Sequence, residues 1–406
     1  AIEWVFFVLE IVAALVYYTT WDKISKGAHL LVGWLYVVGA YMSLVVINGI
    51  ITYMLTPGRW LETRAFWDGF FNPTYWPSLV LRTGICILMA VAFMLWSAYR
   101  ANPDRRPELV RYLGWWFFGG ALLSYAGYRW WEAVLPDTVK ALFLGETPSL
   151  LTLADTRSFT LWSLAVALAV CVLALLLAPR FARSVTALAL MASAFGFFGG
   201  YERLREGIRK PFLIHSHLFS NGLLVGQIDE INRSGIAAHS GWVALGDPAP
   251  EALGGRIFAA ECASCHTLDG YQSIREALPT VTDMELVVAD EPPGSGAVHY
   301  LEQCSACHSD VAYEDMVGML PSVEEIREDP EFIRELNLGM ITMTVMELKE
   351  MGAAVTDFDP HSTFDMQTLD RPTMPPFVGT DDEAEALAIY LASLDDGRSA
   401  TSGGAR

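Results

Sequence analysis

Two short runs of cysteine and histidine carry the most specific chemistry in this sequence. They are Cys262-Ala-Ser-Cys265-His266 and Cys304-Ser-Ala-Cys307-His308, and 38 residues lie between Cys265 and Cys304. Two thiols at this spacing lie one helical turn apart, so both can add across the vinyl groups of one haem while the adjoining histidine ligates its iron. The two runs therefore predict two covalently bound haems c, with His266 and His308 as the proximal iron ligands.

A structural zinc cage is the competing interpretation of paired CxxC runs. Against it, a histidine directly follows the second cysteine in both runs, and the gap of 38 residues is longer than zinc-ribbon spacings usually are. Both observations favour covalent haem. The two remaining cysteines, Cys86 and Cys171, lie within apolar runs, so the sequence indicates no disulfide framework.

The sequence around the first run extends this pattern. Gly255-Arg256-Ile257-Phe258 leads into the cysteines, and Met374-Pro375-Pro376-Phe377-Val378-Gly379-Thr380 precedes an amphipathic run from Glu383 to Leu394. With these pieces the C-terminal part resembles class I c-type cytochromes. In that family a Met-Pro segment supplies the sixth iron ligand and the terminal helix packs on the haem-bearing helix. The resemblance therefore implies Met374 as the distal ligand of the first haem.

The second run lies close behind the first. Cys304 follows Cys262 by 42 positions, which is too few for a complete class I domain before the second run begins. We therefore expect the second haem in an insertion within one cytochrome fold, next to the first haem. Its distal ligand stays open among Met319, Met343 and Met346, with His299 and His361 as further candidates, because most methionines in such a domain simply pack.

Six apolar runs precede the cysteines, at residues 2–20, 29–56, 78–98, 112–134, 158–178 and 184–201. Each has about the twenty residues needed to cross a bilayer. Basic residues dominate the connections after the first, third and fifth runs, which by the positive-inside rule places the cysteine runs outside the cytoplasm. Haem c is attached on that side, so both arguments predict a multi-pass protein of the bacterial inner membrane with a periplasmic haem domain.

Charge is unevenly distributed along the chain. Residues 241–406 carry 31 acidic and 8 basic side chains, whereas residues 1–240 carry 15 and 19. The acidic part is either a solvated surface or a docking field for a basic soluble carrier. We predict an all-α chain: a six-helix transmembrane bundle at 1–206, an extracytoplasmic connector at 207–250, a mainly α, class I cytochrome c-like domain with two haems at 251–397, and a flexible tail at 398–406.

Short pieces of the apolar part carry a second resemblance: Ile47-Asn48-Gly49-Ile50, Thr56-Pro57-Gly58, Phe71-Asn72-Pro73 and Gly207-Ile208-Arg209-Lys210-Pro211-Phe212. From Tyr41 to about Phe212 the chain resembles the later helices of subunit I of the cytochrome bd quinol oxidases. Where that family has its haem-ligating histidine this chain has Leu79 to Thr83, and the helix expected to carry the methionine ligand, at 158–178, contains no methionine. These departures predict that the chain binds no haem b and reduces no oxygen.

A dense charge cluster follows the last apolar run. Its basic members are Arg203, Arg205, Arg209 and Lys210, and Arg82 lies in the third apolar run. These residues are candidates for contact with a quinone head group or a lipid phosphate. Ion-paired anchoring of the helix end is the alternative.

These patterns together predict a membrane-anchored dihaem c-type cytochrome. It would act as an electron-transfer subunit of a respiratory or photosynthetic complex, with membrane lipid and other subunits as partners and no nucleic acid. Electrons would pass between a quinol or a partner redox subunit and a periplasmic carrier such as a soluble cytochrome c. If this chain is the subunit that faces the quinol, the activity would be of the quinol:cytochrome c type. In the alternative version the helices are a scaffold that docks a catalytic oxidoreductase subunit, with the haems as relay. The missing ligands disfavour a terminal quinol oxidase.

Overall fold

The structure is a computed structural model that describes residues 2–99, 104–141, 148–180, 182–241, 243, 249–270, 273–277, 281–301, 312–328, 330–356 and 374–394. The described chain is mostly helical, with one short antiparallel hairpin. It divides into two compact units: unit 1 comprises Ala1–Leu144 and Leu153–Arg209, and unit 2 comprises Gly145–Thr152 and Lys210–Arg406.

Nine α-helices lie in the part described up to residue 207. They are α1 (Ile2–Thr19), α2 (Lys26–Leu55), α3 (Trp60–Thr63), α4 (Phe66–Phe70), α5 (Tyr75–Ala98), α6 (Arg106–Val134), α7 (Asp137–Ala141), α8 (Pro148–Val170) and α9 (Ser184–Gly207). A π-helical segment, Cys171–Leu177, continues α8.

Five of the described helices are long and apolar enough to cross a membrane: Ile2–Thr19, Lys26–Leu55, Tyr75–Ala98, Leu153–Leu177 and Ser184–Gly207. The chain is therefore a multi-pass membrane protein. The sixth predicted span, residues 112–134, falls within α6, which is not among the five. Arg129 and Glu132 lie in that helix and lower its apolarity, so the six-helix bundle stays a prediction.

The core of unit 1 lies where α5 packs against α6 and α9. Its fully buried large side chains include Leu81, Leu88, Phe117, Tyr128, Trp131, Phe197 and Tyr201. Glycines let α5 and α6 approach to backbone contact, since a Cβ atom on Gly127 would lie 2.5 Å from the backbone nitrogen of Leu81. This crossing fixes α5 and the polar side chains near its beginning.

A buried polar network joins the end of α2 to the beginning of α5. The side-chain Nδ2 of Asn72 donates to Thr52 Oγ1 at 2.9 Å, and Asn72 Oδ1 accepts from the backbone N–H of Thr74 at 3.2 Å. Asn48 Nδ2 donates to the Tyr75 carbonyl at 2.9 Å, and Thr56 Oγ1 donates to Asn72 Oδ1 at 3.1 Å. These residues are all buried, so the network satisfies polar groups that an apolar surrounding would otherwise penalise.

Unit 2 begins with the hairpin β1 (Phe212–Ile214) and β2 (Leu218–Phe219). Its helices are α10 (Ile228–Ser234), α11 (Pro250–Ile257), α12 (Ile274–Ala277), α13 (Val281–Ala289), α14 (Ser295–His299), α15 (Tyr313–Met319), α16 (Val323–Glu328), α17 (Pro330–Thr356) and α18 (Asp381–Ser393). A π-helical turn, Phe258–Cys262, continues α11, and 3-10 turns form at Val225–Gln227 and Ile236–Ala238.

The helix before the first cysteine crosses the last described helix at close range. Gly254 on α11 faces the backbone carbonyl of Ala386 on α18 with no room for a side chain, and the ring of Tyr390 covers Gly255. Phe258 and Tyr390 then meet with ring centroids 5.9 Å apart. This contact between α11 and α18 holds the chain that enters the first cysteine run.

Candidate functional site

The first cysteine run forms a single turn at the end of the π-helical turn that follows α11. The amide of Ala263 donates to the Phe258 carbonyl at 2.9 Å, a bond between residues five apart. The amides of Cys265 and His266 both donate to the Cys262 carbonyl, at 3.1 and 3.0 Å. Cys262 and Cys265 are half-buried free cysteines. We call Phe258–His266 the attachment segment.

Residues 374–380, which we call the Met374 strap, lie against three elements of unit 2. Three consecutive strap amides each donate to a different one. Phe377 donates to the Leu348 carbonyl of α17 at 3.2 Å, Val378 to Glu261 Oε2 at 3.2 Å, and Gly379 to Asn232 Oδ1 of α10 at 3.0 Å. The strap is thus fixed from three sides, one of them the attachment segment itself.

Glu261 is a buried carboxyl next to the first cysteine. It is 6% exposed, and its Oε1 atom has no hydrogen-bond partner among the residues that the structure describes. Burial raises its pKa to about 8, the nearby Glu383 carboxylate adds to the rise, and the Val378 amide opposes it. Burial likewise raises the pKa of the Cys262 thiol to about 12, with Glu261 and Cys265 contributing in the same direction, so the unmodified thiol is protonated at neutral pH.

The described part of unit 2 therefore brings together the first cysteine run and the segment that begins at Met374. Two half-buried thiols and a histidine within one turn fit covalent attachment of a haem. Met374 itself is half-buried, and the strap that carries it contacts the residue next to Cys262.

The second cysteine run, Cys304 to His308, and His361 lie outside the described residues. Among the predicted distal ligands, Met319 is 72% and Met343 is 59% exposed, whereas Met346 is half-buried on α17. His299 pairs through Nε2 with Asp283 Oδ1 at 3.0 Å. The assignment of a second distal ligand stays a prediction.

The basic residues at the end of α9 lie mostly in ion pairs. Glu202 pairs with Arg82 of α5 at 2.6 Å and with Arg205 at 3.0 Å, and Glu206 pairs with Arg205 at 3.8 Å and with Arg209. Such alternation neutralises charge that would be costly in an apolar surrounding.

Two further basic residues complete that set. Arg203 is exposed, and Lys210 begins unit 2 and is half-buried. Among the predicted contacts for a quinone head group or a lipid phosphate, Arg203 is therefore the exposed residue, whereas Arg82, Arg205 and Lys210 are half-buried and Arg209 is buried.

Sequence reasoning did not identify the roles of two acidic residues. Glu132 of α6 bridges Arg129 at 2.5 Å and Arg157 of α8 at 2.7 Å, and the three-residue spacing between Arg129 and Glu132 was the available signal. Glu383 accepts hydrogen bonds from the amides of Ile236 and Ala237 at 2.9 and 3.1 Å, for which the sequence holds no local signal.

His29 is the histidine of unit 1. It lies near the start of α2, with its ring 4.0 Å from that of Tyr17 and 4.8 Å from that of Trp21, centroid to centroid. Both ring nitrogens are buried and have no hydrogen-bond partner among the described residues. Among the described residues no group of three or more His, Cys, Asp or Glu side chains that could hold a metal ion is present, so His29 would supply one axial position at most.

Comparison with protein families matches residues 1–113 to Cytochrome bd terminal oxidase subunit I. Comparisons with curated proteins and with solved structures gave no match. The family match confirms the resemblance of the membrane part from Tyr41 to residue 113 and extends it to residues 1–40, whereas the resemblance over residues 114–212 stays a prediction. Residues 114–406 lie outside the matched range, so the resemblance to class I c-type cytochromes stays a prediction.

The same match overturns the cofactor prediction. The prediction that the chain carries haem c and no haem b is wrong, because the matched family binds haem b. That prediction relied on ligands missing from Leu79 to Thr83 and from 158–178. The second of these regions lies outside the matched range. The comparison therefore indicates a membrane redox protein whose first 113 residues are similar to Cytochrome bd terminal oxidase subunit I.

Proposed function

We propose that this chain is a membrane-anchored electron-transfer subunit, in which Cys262 and Cys265 attach a haem covalently and His266 and Met374 ligate its iron. The observation that carries the proposal is the bond from the Val378 amide to Glu261. It links the turn with the two thiols to the strap that begins at Met374. The family match over residues 1–113 supports a redox function in the membrane.

The residues of the chain have separate tasks in this proposal. The two thiols fix the position of the haem by thioether bonds, and the crossing of α11 and α18 holds the turn that bears them. His266 donates an imidazole nitrogen from within that turn, while the strap presents the thioether of Met374. A haem held in this way supplies one-electron transfer, and methionine ligation raises its potential relative to two histidines.

The proposed electron donor is a quinol or a partner redox subunit in the membrane, and the proposed acceptor is a periplasmic soluble carrier. This direction places unit 2 outside the cytoplasm. Four acidic residues of unit 2 lie exposed on two consecutive helices: Glu314 and Asp315 on α15, and Glu324 and Glu325 on α16. Charge of this sign favours encounter with a basic carrier.

The test is a stain for covalent haem on the denatured, purified full chain, produced in a host that attaches haem to CxxCH runs. We expect the stain in the wild type and a reduced signal in the Cys262→Ala/Cys265→Ala variant. The matched control is Cys304→Ala/Cys307→Ala, which measures what the second run contributes. A wild-type chain that carries stoichiometric zinc and no covalent haem would overturn the proposal.

A second candidate function rests on the family match. In it, unit 1 is a quinol-oxidase-like subunit that binds haem b, and His29 supplies an axial nitrogen from its enclosed position between Tyr17 and Trp21. The two candidates are compatible within one chain, because the haem b would lie in unit 1 and the covalent haem in unit 2. A membrane scaffold that docks a separate catalytic subunit is the remaining alternative, favoured if unit 1 yields neither haem b nor quinone.

A further inference from the structure

We propose that Glu261 is a positioning residue: its carboxyl holds the Met374 strap at the attachment segment and so places the thioether of Met374 for the iron. This inference rests on the proposed function and assigns to that site a residue outside the CxxCH and Met-Pro patterns.

The position of Glu261 in the chain is the first argument. It directly precedes Cys262, and its partner Val378 lies four residues after Met374. A displacement of the strap at Val378 therefore reaches Met374 through a short stretch of backbone. Cys262 and Met374 are more than a hundred positions apart in the sequence, so a direct bond between their neighbours fixes their separation more tightly than the intervening chain can.

The chemistry of the strap is the second argument. Pro376, Phe377, Val378 and Gly379 are buried, so each available backbone amide requires an acceptor. Leu348 and Asn232 provide acceptors for the flanking amides from α17 and α10. Those two bonds hold the strap to helices that bear no cysteine. Glu261 provides an acceptor from the segment to which the haem would be attached.

The state of the carboxyl is the third argument. Glu261 Oε1 is buried with no hydrogen-bond partner among the described residues, and the Glu383 carboxylate lies nearby. Glu383 accepts from the amides of Ile236, Ala237 and Thr380, which suits a charged group. Burial raises the pKa of Glu261 to about 8. A neutral carboxyl therefore makes the bond to Val378 at neutral pH, and a glutamine amide oxygen can replace it.

The experiment compares Glu261→Gln and Glu261→Leu in the full-length protein with its haem attached. Glutamine keeps the acceptor, whereas leucine keeps the volume and removes it. Asn232→Leu is the matched control, because it removes a different side-chain acceptor of the same strap without touching the attachment segment. Amide hydrogen exchange over residues 374–380, the absorption band of iron-bound methionine and the midpoint potential are measured for each variant.

We expect exchange of the Val378 amide to accelerate about tenfold in Glu261→Leu. We also expect loss of the methionine band and a lower midpoint potential, with all three values restored in Glu261→Gln. Asn232→Leu should accelerate exchange at Gly379 and leave the band in place. An unchanged band in Glu261→Leu together with faster exchange at Val378 would overturn the positioning role.

The exchange measurement needs no haem. If the wild type carries no covalent haem, the proposed function fails on that ground alone. Unchanged exchange at Val378 in Glu261→Leu would overturn the inference by itself.

Discussion

Arg82 of α5 and Glu202 of α9 are joined by an ion pair of 2.6 Å whose side chains are 11% and 26% exposed. The Arg82 guanidinium also lies 5.7 Å from the ring centroid of Tyr201, the residue before Glu202. One charged contact thus joins two apolar helices, α5 and α9, of unit 1. The ion pair with Glu202 compensates the charge of Arg82, which accounts for the presence of an arginine in an apolar helix.

Breaking this pair should destabilise unit 1. We expect Arg82→Met to lower the stability of the detergent-solubilised protein by about 2 kcal/mol, since it removes the shorter of the two ion pairs of the partly buried Glu202 carboxylate and leaves Arg205 as its remaining partner. The measurement is thermal unfolding, together with Glu202→Gln and the double variant. The double variant should lose less than the sum of the single losses, and additive losses would contradict a direct coupling between the two residues.

Gly127 should tolerate no side chain. A Cβ atom there would lie 2.5 Å from the backbone nitrogen of Leu81, so α5 and α6 would have to separate. We expect Gly127→Ala to lower the unfolding temperature by several degrees and reduce the yield of folded protein. Gly119 on the same helix is the control, because a Cβ atom there meets nothing within 4 Å. Equal behaviour of the two alanine variants would show that the crossing is not tight.

The stability of unit 2 should depend on pH through Glu261. Its pKa is raised from 4.5 to about 8 by burial, with Glu383 adding to the rise, so the folded state holds this proton more tightly than the unfolded state does. The resulting stabilisation is complete below pH 4.5 and is lost as the pH rises through about 8.

Hydrogen exchange of α11 and α18 in the full chain measures this effect. Protection should fall between about pH 6 and about pH 8, the upper part of that window, and the fall should be smaller in Glu261→Gln, which has no proton to lose. The same fall in wild type and variant would assign the effect to another group.

Haem b in unit 1 should depend on His29. We expect the wild type to contain haem b by pyridine haemochrome, and His29→Phe to lose it while keeping a ring beside Tyr17 and Trp21. Tyr17→Phe is the control, since it preserves both the ring and the histidine. Retention of haem b in His29→Phe would move the ligand elsewhere, and its absence from the wild type would contradict the second candidate function.

Much of the helical framework of unit 1 follows from apolar length alone. The run at 2–20 became Ile2–Thr19, and the run at 29–56 became Lys26–Leu55. Helix α2 begins before its apolar stretch because the Ser25 hydroxyl accepts from the Ala28 amide at 3.3 Å. This N-cap allows polar residues to form the first turn of the helix. Hydropathy carries no information on such caps, which is why the boundaries differ by a few residues.

Residue spacing could predict the candidate site only where its residues are adjacent in the sequence, whereas Met374 was expected from the resemblance to class I c-type cytochromes. The turn at Cys262 to His266 is local, so spacing alone indicates it. The bond from Val378 to Glu261 spans 117 residues, and the acceptors at Leu348 and Asn232 come from two further helices. Tertiary packing selects these partners, and no periodicity in one sequence specifies them.

The π-helical turn at Phe258–Cys262 has a consequence for how the thiols are aimed. Its bond from Ala263 to Phe258 spans one residue more than an α-helical bond would. Deleting Ala260 would restore α-helical spacing and leave the contact of Gly254 with α18 in place. Everything after the deletion would turn by about 100° around the helix axis, so Glu261 and Cys262 would face new directions. The extra residue in the π-helical turn therefore sets the direction of the thiols without changing how α11 packs against α18.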